Sequence, residues 1–350
     1  MKIKSLIKLV FSCLISFGIL NGVCFFFYNV PVHSESETGS TDYVWEKNKF
    51  YSRGTEGFAW GKTDSNGFNN ISSEHSIKPE VLIMGTSHTE ALNVLQNESY
   101  AYRFNELSEQ NGMELDAYNI GISGHNITIC LNNFESALEE FEPSKYVVME
   151  VTTTELTENE INQVLNSTVK TIHSSANPIL VFLQKIPFLR RVYSQIDNLG
   201  VEVKSDNNGT EKERKILPAA VQSADDKNNS YEDALNTLLE RIGKAAESKG
   251  IKLIIVHHSK LQFDESGNVI PQLSSEKSKI FKTVCSRNGI EIFDMYDAFA
   301  EYYNETHRLP YGFINTAVGV GHLNKYGHKV IADELFKLIA ELENQASVVK

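Results

Sequence analysis

The sequence predicts an α/β sandwich on a parallel sheet. Five short apolar runs carry that reading: VLIMG (81–85), ELDAYNIG (114–121), YVVMEV (146–151), KLIIVHH (252–258) and EIFDMY (291–296). They are continuous rather than alternating in polarity, as expected of strands covered on both faces. Helical patterns separate them at 98–110, 126–141, 231–249 and 275–287, and NKYGHKVIADELFKLIAELE closes the domain. No internal repeat is visible.

Taken in order, residues 1–8 carry Lys2, Lys4 and Lys8 and precede LVFSCLISFGILNGVCFFFYNV (9–30), which contains no Asp, Glu, Lys or Arg. That run is long enough to cross the roughly 30 Å of bilayer hydrocarbon. The lysines on its N-terminal side keep the N-terminus inside and send the rest out. A cleaved signal peptide is the competing reading, but no small-x-small site follows closely and Val23 before Cys24 suits a lipoprotein site poorly. The expectation is a single-pass anchor with an extracytoplasmic C-terminal domain.

Residues 31–75 read as a stem (SESETGST) and an irregular packing segment (GFAWGKTDSNGFNN). The domain proper spans 76–345. It is interrupted at 156–230, too long for a simple crossover. There NPILVFLQKIPFLRRVYSQI (177–196) is expected to cover the sheet as a helix, with a lid or a membrane-lying segment as alternatives. VEVKSDNNGTEKERK and SADDKNNS read as exposed linker.

The chain has 350 residues, 41% of them hydrophobic, and a formal charge of −12. That charge argues against nucleic acid as a partner. Cys13 and Cys24 fall in the anchor, and Cys130 and Cys285 fall in amphipathic helices. The latter two read as small buried hydrophobes, with a disulfide between them the alternative. No metal is expected: His322 and His328 are poorly spaced for one helical face, and neither a His-Glu-x-x-His motif nor a cysteine cluster occurs. No cofactor is expected either.

In an open parallel sheet, ligands gather beyond the carboxyl ends of the strands. Gly85-Thr86-Ser87 follows the first run. NIGISGHN, with Gly121, Ser123, Gly124, His125 and Asn126, follows the second. Thr152, Thr153, Thr154 and Glu155 follow the third, and His257 and His258 end the fourth. GVGHLNKYGH presents His322 just before the last helix. Each has an ordinary reading alone: Ser87 and Thr154 as helix caps, Gly124 as a turn glycine, His322 as a capping or surface histidine. Together and in order they point to a serine nucleophile. A serine hydroxyl needs a base within hydrogen-bond reach, which His322 offers. The oxyanion needs donors, which the N–H groups of Ser87 and Gly124 offer. His88 and His125 flank these residues as candidates to bind substrate. Side chains alternate along a strand, so at most one of His257 and His258 faces the site.

These motifs resemble the SGNH (GDSL-type) hydrolases. The resemblance runs from about Val81 to Glu343, leaving 156–230 unaccounted for. It implies a three-layer α/β/α sandwich with a five-stranded parallel sheet, a flavodoxin-like fold. Ser87 takes the nucleophile's place in Gly85-Thr86-Ser87, and Gly124 the oxyanion-hole glycine's. His322 in GHLNKYGH takes the histidine's. Thr154 stands where the family has an oxyanion-hole asparagine, and Gly319 where it has the aspartate. The Gly319 carbonyl or the Asn315 side chain is then the candidate to orient His322. The anchor, TEGF, DSNGFNN, GTSHTEALN and GFINTAVGVGHLN also resemble a membrane-anchored bacterial subgroup.

The resemblance implies an esterase or O-acyltransferase acting on acyl, above all acetyl, groups of a cell-envelope polysaccharide through an acyl-Ser87 intermediate. A membrane-bound O-acyltransferase is a candidate partner. A carboxylesterase for small soluble esters and a non-catalytic glycan-binding or assembly protein are the alternatives.

Overall fold

The computed structural model describes residues 3–35, 41, 43–166, 183, 185–198 and 224–348. It opens on α1 (Ile3–Phe27), whose apolar side chains are largely exposed and whose length and composition suffice to cross a membrane. Two antiparallel hairpins follow: β1 (His33–Glu35) with β2 (Tyr43–Trp45), and β3 (Phe50–Arg53) with β4 (Ala59–Lys62).

The expectation of a stem followed by irregular packing is therefore corrected at the strands within residues 43–62, whereas residues 63–70 are irregular. Composition there mimics a linker, but the polar side chains are used internally. Asp64 accepts from the backbone N–H groups of Asn66 and Phe68, both at 2.9 Å, and from the Tyr118 hydroxyl at 2.5 Å. Its turn is thereby docked onto the sheet.

The sandwich comprises β5 (Val81–Met84), α2 (Ser87–Glu90), α3 (Tyr100–Gln110), β6 (Ala117–Asn119), α4 (Ile127–Phe141) and β7 (Tyr146–Val151). It continues through α5 (Glu158–Asn166), α6 (Pro187–Asn198), α7 (Ala224–Ser248) and β8 (Lys252–His257). A small hairpin, β9 (Gln262–Phe263) with β10 (Val269–Ile270), precedes α8 (Glu276–Arg287), β11 (Glu291–Asp294), α9 (Tyr296–Thr306) and α10 (Lys325–Val348). Ser99, Asn126 and Ser275 cap α3, α4 and α8 through their side chains.

The central sheet has the order β6-β5-β7-β8-β11, with every pairing parallel. By order of appearance this is 2-1-3-4-5, the flavodoxin-like arrangement, with its switch point between β5 and β7. Alternation divides the core. Leu82, Met84, Val147, Met149, Leu253 and Ile255 face α4, α5, α7 and α8. Val81, Ile83, Val148, Ile254 and Val256 face α3, α9 and α10. The result is the α/β sandwich on a parallel sheet expected from the apolar runs, with the three layers that the resemblance implies.

Two expectations for the 156–230 region change. Residues 187–196 do not cover the sheet: α6 packs on α1, with Phe188 edge-on to Phe17 at 5.8 Å and its N–H donating to Asn21 Oδ1 at 3.1 Å. α5 provides the cover instead, against α4 and α7. SADDKNNS is helical from Ala224 as the start of α7, whereas residues 177–182 and 201–215 lie outside the described residues. Cys130 and Cys285 are both free and buried, and burial pushes both thiols up.

Candidate active site

β5 runs into the turn Gly85-Thr86, and α2 starts at Ser87. Thr86, rather than Ser87, is the cap: its Oγ1 accepts from His88 N–H at 3.2 Å. Ser87 is the first helical residue, so its N–H has no acceptor within the helix and its hydroxyl is not used for capping. His322 Nε2 lies 2.9 Å from Ser87 Oγ, although 235 residues separate them in sequence.

The other face of His322 meets a residue that sequence reasoning did not select. Glu56 Oε2 lies 2.6 Å from His322 Nδ1, and Glu56 Oε1 accepts from the His322 backbone N–H at 2.7 Å. The two candidate orienters are thereby corrected. Gly319 N–H donates to Tyr311 O at 2.9 Å and contributes to the loop alone. Asn315 acts one step back. Its Oδ1 accepts from Gly57 N–H at 2.9 Å, and its Nδ2 donates to the carbonyls of Gly57 at 2.8 Å and Gly54 at 3.1 Å. It fixes the turn that presents Glu56. Gly321, at φ +92°, lies so close that a Cβ would overlap Glu56 Oε1. In the sequence Glu56 is marked only by TEGF, a stretch that enters through a resemblance and carries no chemical role there.

Gly124 sits after β6 at φ +86°, a left-handed conformation natural to glycine. Its neighbour Ser123 is clamped twice. The Ser123 hydroxyl donates to Glu90 Oε2, and the Tyr43 hydroxyl donates to the Ser123 carbonyl. Trp45 Nε1 donates to Glu90 Oε1 at 2.6 Å. Burial raises the Glu90 pKa, against the lowering effect of the bonds from Ser123 and Trp45. The β1–β2 hairpin thus holds the turn that carries the Gly124 N–H.

Thr154, the expected third oxyanion donor, is corrected as well. Its hydroxyl donates to Ser278 Oγ on α8 at 2.9 Å and is spent there. His88 Nδ1 accepts from Leu323 N–H at 3.1 Å. Its ring packs 5.1 Å from His322 and 4.9 Å from His258. His125 packs edge-on to Tyr43 at 6.2 Å, beside the Gly124 turn.

Alternation separates the paired histidines as expected. His257 turns to Asp294 at 3.1 Å, whereas His258 lies under the site. Its Nε2 is 2.8 Å from Glu150 Oε1 and its Nδ1 is 2.5 Å from the Tyr311 hydroxyl. Glu150, fully buried, accepts through Oε2 from Thr86 N–H, Thr86 Oγ1 and Thr89 Oγ1, each at 2.8 Å. Thr89 has one proton and gives it to Glu150, so the Tyr100 hydroxyl must donate to Thr89 Oγ1. Burial pushes the Glu150 carboxyl up, but the bond and charge of His258, with the Thr86 N–H, outweigh it and hold the group low.

Burial, then the charges of His258 and its neighbours, pushes His88 and His328 down to about 3. His328 Nδ1 accepts from Tyr100 N–H at 3.3 Å. A histidine held neutral in the fold adds stability that is complete above the ordinary value of 6.5 and is lost as pH falls toward 3. Each group contributes a slope of up to ~1.4 kcal/mol per pH unit in that window. The urea midpoint is expected to fall steadily from pH 6.5 to 4, and His328→Asn to flatten the slope by about one proton. An unchanged slope in that variant would count against the assignment.

Serine, histidine and glutamate therefore form one hydrogen-bonded line at the carboxyl edge of the sheet, an arrangement in which an imidazole oriented by an acid can take a serine's proton. Among the described residues, no group of His, Cys, Asp and Glu is arranged to hold a metal ion. No family model matches the chain, and no curated protein matches it significantly. Among solved structures it is similar to the psychrotrophic esterase EstA from Pseudoalteromonas sp., at 13% identity over 75% of this chain and 98% of that one, with a TM-score of 0.39. It is also similar to the acetyl xylan esterase AlAXEase, at 16% identity over 74% and 99%, TM-score 0.39. A member of the lipolytic protein G-D-S-L family from Veillonella parvula DSM 2008 is similar at 12% identity over 74% and 97%, TM-score 0.35.

Proposed function

We propose that this chain is an SGNH-type serine esterase or O-acyltransferase, held by α1 at the outer face of a membrane and acting on acyl groups of an envelope polysaccharide. The observation that carries the enzyme reading is the line Ser87–His322–Glu56, with steps of 2.9 and 2.6 Å.

The roles follow from the geometry. Glu56 holds the Nδ1–H tautomer, so Nε2 is free to take the Ser87 proton. Ser87 Oγ attacks the ester carbonyl, and the oxyanion forms against the N–H groups of Ser87 and Gly124. The C–O bond to the alcohol breaks and His322 returns the proton to the leaving oxygen. A second hydroxyl, from water or a sugar, then gives its proton to His322 and takes the acyl group; the acyl–Oγ bond breaks and His322 returns the proton to Ser87 Oγ.

The non-catalytic reading was motivated by the missing aspartate and the missing asparagine. Glu56 removes the first motive, because an acid stands at Nδ1 by another route. The second stands, because the Thr154 hydroxyl is given to Ser278, so the oxyanion relies on the backbone N–H groups of Ser87 and Gly124. Anchoring favours an envelope substrate over small soluble esters, because it confines the site to within a few nanometres of the membrane.

The test is a fluorophosphonate probe on the detergent-solubilised full chain. Wild type is expected to label, and Ser87→Ala not at all. His322→Ala should label at least about 10³-fold more slowly. Equal labelling of Ser87→Ala would remove the nucleophile. Assays with acylated glycan, and with an acyl donor plus glycan, then divide hydrolysis from transfer. Full envelope acylation in a Ser87→Ala strain would overturn the polysaccharide reading.

A further inference from the structure

The hairpin that carries the acid is seated on the end of α1. Phe25 stacks on Phe50 at 5.2 Å, Phe27 packs on Phe58 at 5.3 Å, and Ser52 Oγ donates to Phe25 O at 2.6 Å. Between helix and hairpin runs an open apolar groove of about 760 Å³, lined by Ile19, Val23, Phe26, Phe50, Phe58 and Trp60. Phe26, Phe58 and Trp60 remain substantially exposed. From Ile19 to Phe27 the groove follows α1 for roughly 12 Å. That is close to the depth of one leaflet of a ~30 Å hydrocarbon core.

Phe27 also borders a second cleft, of about 170 Å³, formed with Tyr28, Arg53, Thr55, Arg190 and Arg191. Arg190, on α6, donates to Val30 O and, at 2.6 Å, to Asn29 Oδ1. Its Nε is buried and has no partner among the described residues. Arg191 lies over the Tyr28 ring at 4.7 Å. Burial lowers the Arg190 pKa, opposed by the charge of Glu46. Three guanidinium groups thus border one cleft, just past the last turn of a bilayer-length helix.

We propose that α1 and the β3–β4 hairpin form a binding site for one anionic phospholipid, with an acyl chain in the apolar groove and its phosphate in the arginine cleft. The site rests on the reading of α1 as a membrane anchor. Arginine suits the phosphate because its planar fork bonds two oxygens at once. Trp60 and the phenylalanines suit the level where hydrocarbon meets headgroups. Thr55 borders the cleft and Glu56 follows it, so an occupied site braces the turn that presents the acid to His322. The bound class is a bilayer lipid rather than free phosphate, because the groove is lined by apolar side chains and shares Phe27 with the arginine cleft as a common wall.

The test uses the full chain in nanodiscs. The chain has two tryptophans, Trp45 buried and Trp60 half-exposed. The difference in fluorescence between wild type and Trp60→Phe therefore reports Trp60. Phosphatidylglycerol brominated in its acyl chains is expected to quench that signal. Native mass spectrometry of detergent-solubilised chain should retain one phosphatidylglycerol, preferred at least about tenfold over phosphatidylcholine. Arg53→Gln with Arg190→Gln should lose the preference, whereas Ser87→Ala should bind as wild type.

If the chain floats with vesicles but Trp60 is not quenched, or the two lipids bind equally, the lipid site is overturned and the anchor stands. If it does not float with vesicles, the anchor reading fails and the lipid site with it. Displacement of phosphatidylglycerol by millimolar inorganic phosphate alone would make the cleft a phosphate site and overturn the proposal.

Discussion

Glu56→Gln is expected to lower kcat by about 10³- to 10⁴-fold while leaving the fold intact. The carboxylate uses both oxygens as acceptors, one from the His322 backbone N–H and one at Nδ1. Glutamine has one acceptor and one donor in that place. If its oxygen keeps the backbone N–H, its amide faces Nδ1, and the ring must carry its proton on Nε2. That tautomer cannot accept the Ser87 proton. If the amide turns the other way, it meets the His322 backbone N–H donor to donor, and the loop shifts.

Gly321→Ala is expected to reproduce most of the loss, because a Cβ there displaces the same carboxylate and φ +92° strains the loop. Asn315→Ala, which only loosens the Glu56 turn, is expected to cost about tenfold. The measurement is turnover of a chromogenic acetate ester by the full chain, with the melting temperature recorded beside it. Wild-type kcat in Glu56→Gln would mean that His322 works as a dyad with Ser87 and that the acid is ornamental.

The reason Glu56 escaped the sequence is physical. Ser87, Gly124 and His322 each lie in a short motif at the end of a strand or the start of a helix, where local spacing marks them. Glu56 meets His322 across 266 positions, through a hairpin whose placement depends on α1, Asn315 and the Asp64 turn. Nothing within ten residues of it announces that contact. The five strands were legible for the opposite reason. Burial on both faces leaves an unbroken apolar run, which is a local signal. α9 was missed because it buries little beyond Tyr296 and Phe299 and reads as a tyrosine-rich continuation of the last strand. Thr154 was placed by matching a motif position, and a position does not say where a hydroxyl points.

The buried carboxylate Glu150 leads to the second large effect. Glu150→Leu is expected to destabilise the fold by about 3–5 kcal/mol, because it strands the donors of Thr86, Thr89 and His258 in a dry site. Glu150→Gln is expected to cost less. Its oxygen can keep the three bonds of the Thr86–Thr89 turn while its amide faces His258, provided the ring carries no proton on Nε2 and donates to Tyr311 through Nδ1. The sheet makes this arrangement possible: Glu150 pairs with Val256 in the parallel register, so alternation puts Glu150 and His258 diagonally on one face.

Because the folded carboxyl is held low, its contribution is complete above the ordinary value of 4.5 and is lost as pH falls below it. Glu150→Gln should therefore lose stability at pH 7 but less at pH 3, narrowing the gap to wild type. The same carboxylate holds Thr86, the residue before the proposed nucleophile Ser87. At a temperature well below its melting point, Glu150→Gln should retain KM while kcat falls about 10- to 100-fold, since a neutral amide oxygen keeps the same three bonds more weakly than the carboxylate and presents Ser87 less firmly. An unchanged kcat alongside the stability loss would assign Glu150 to the fold alone, and leave the placement of Ser87 to the Thr86 cap and the His322 contact.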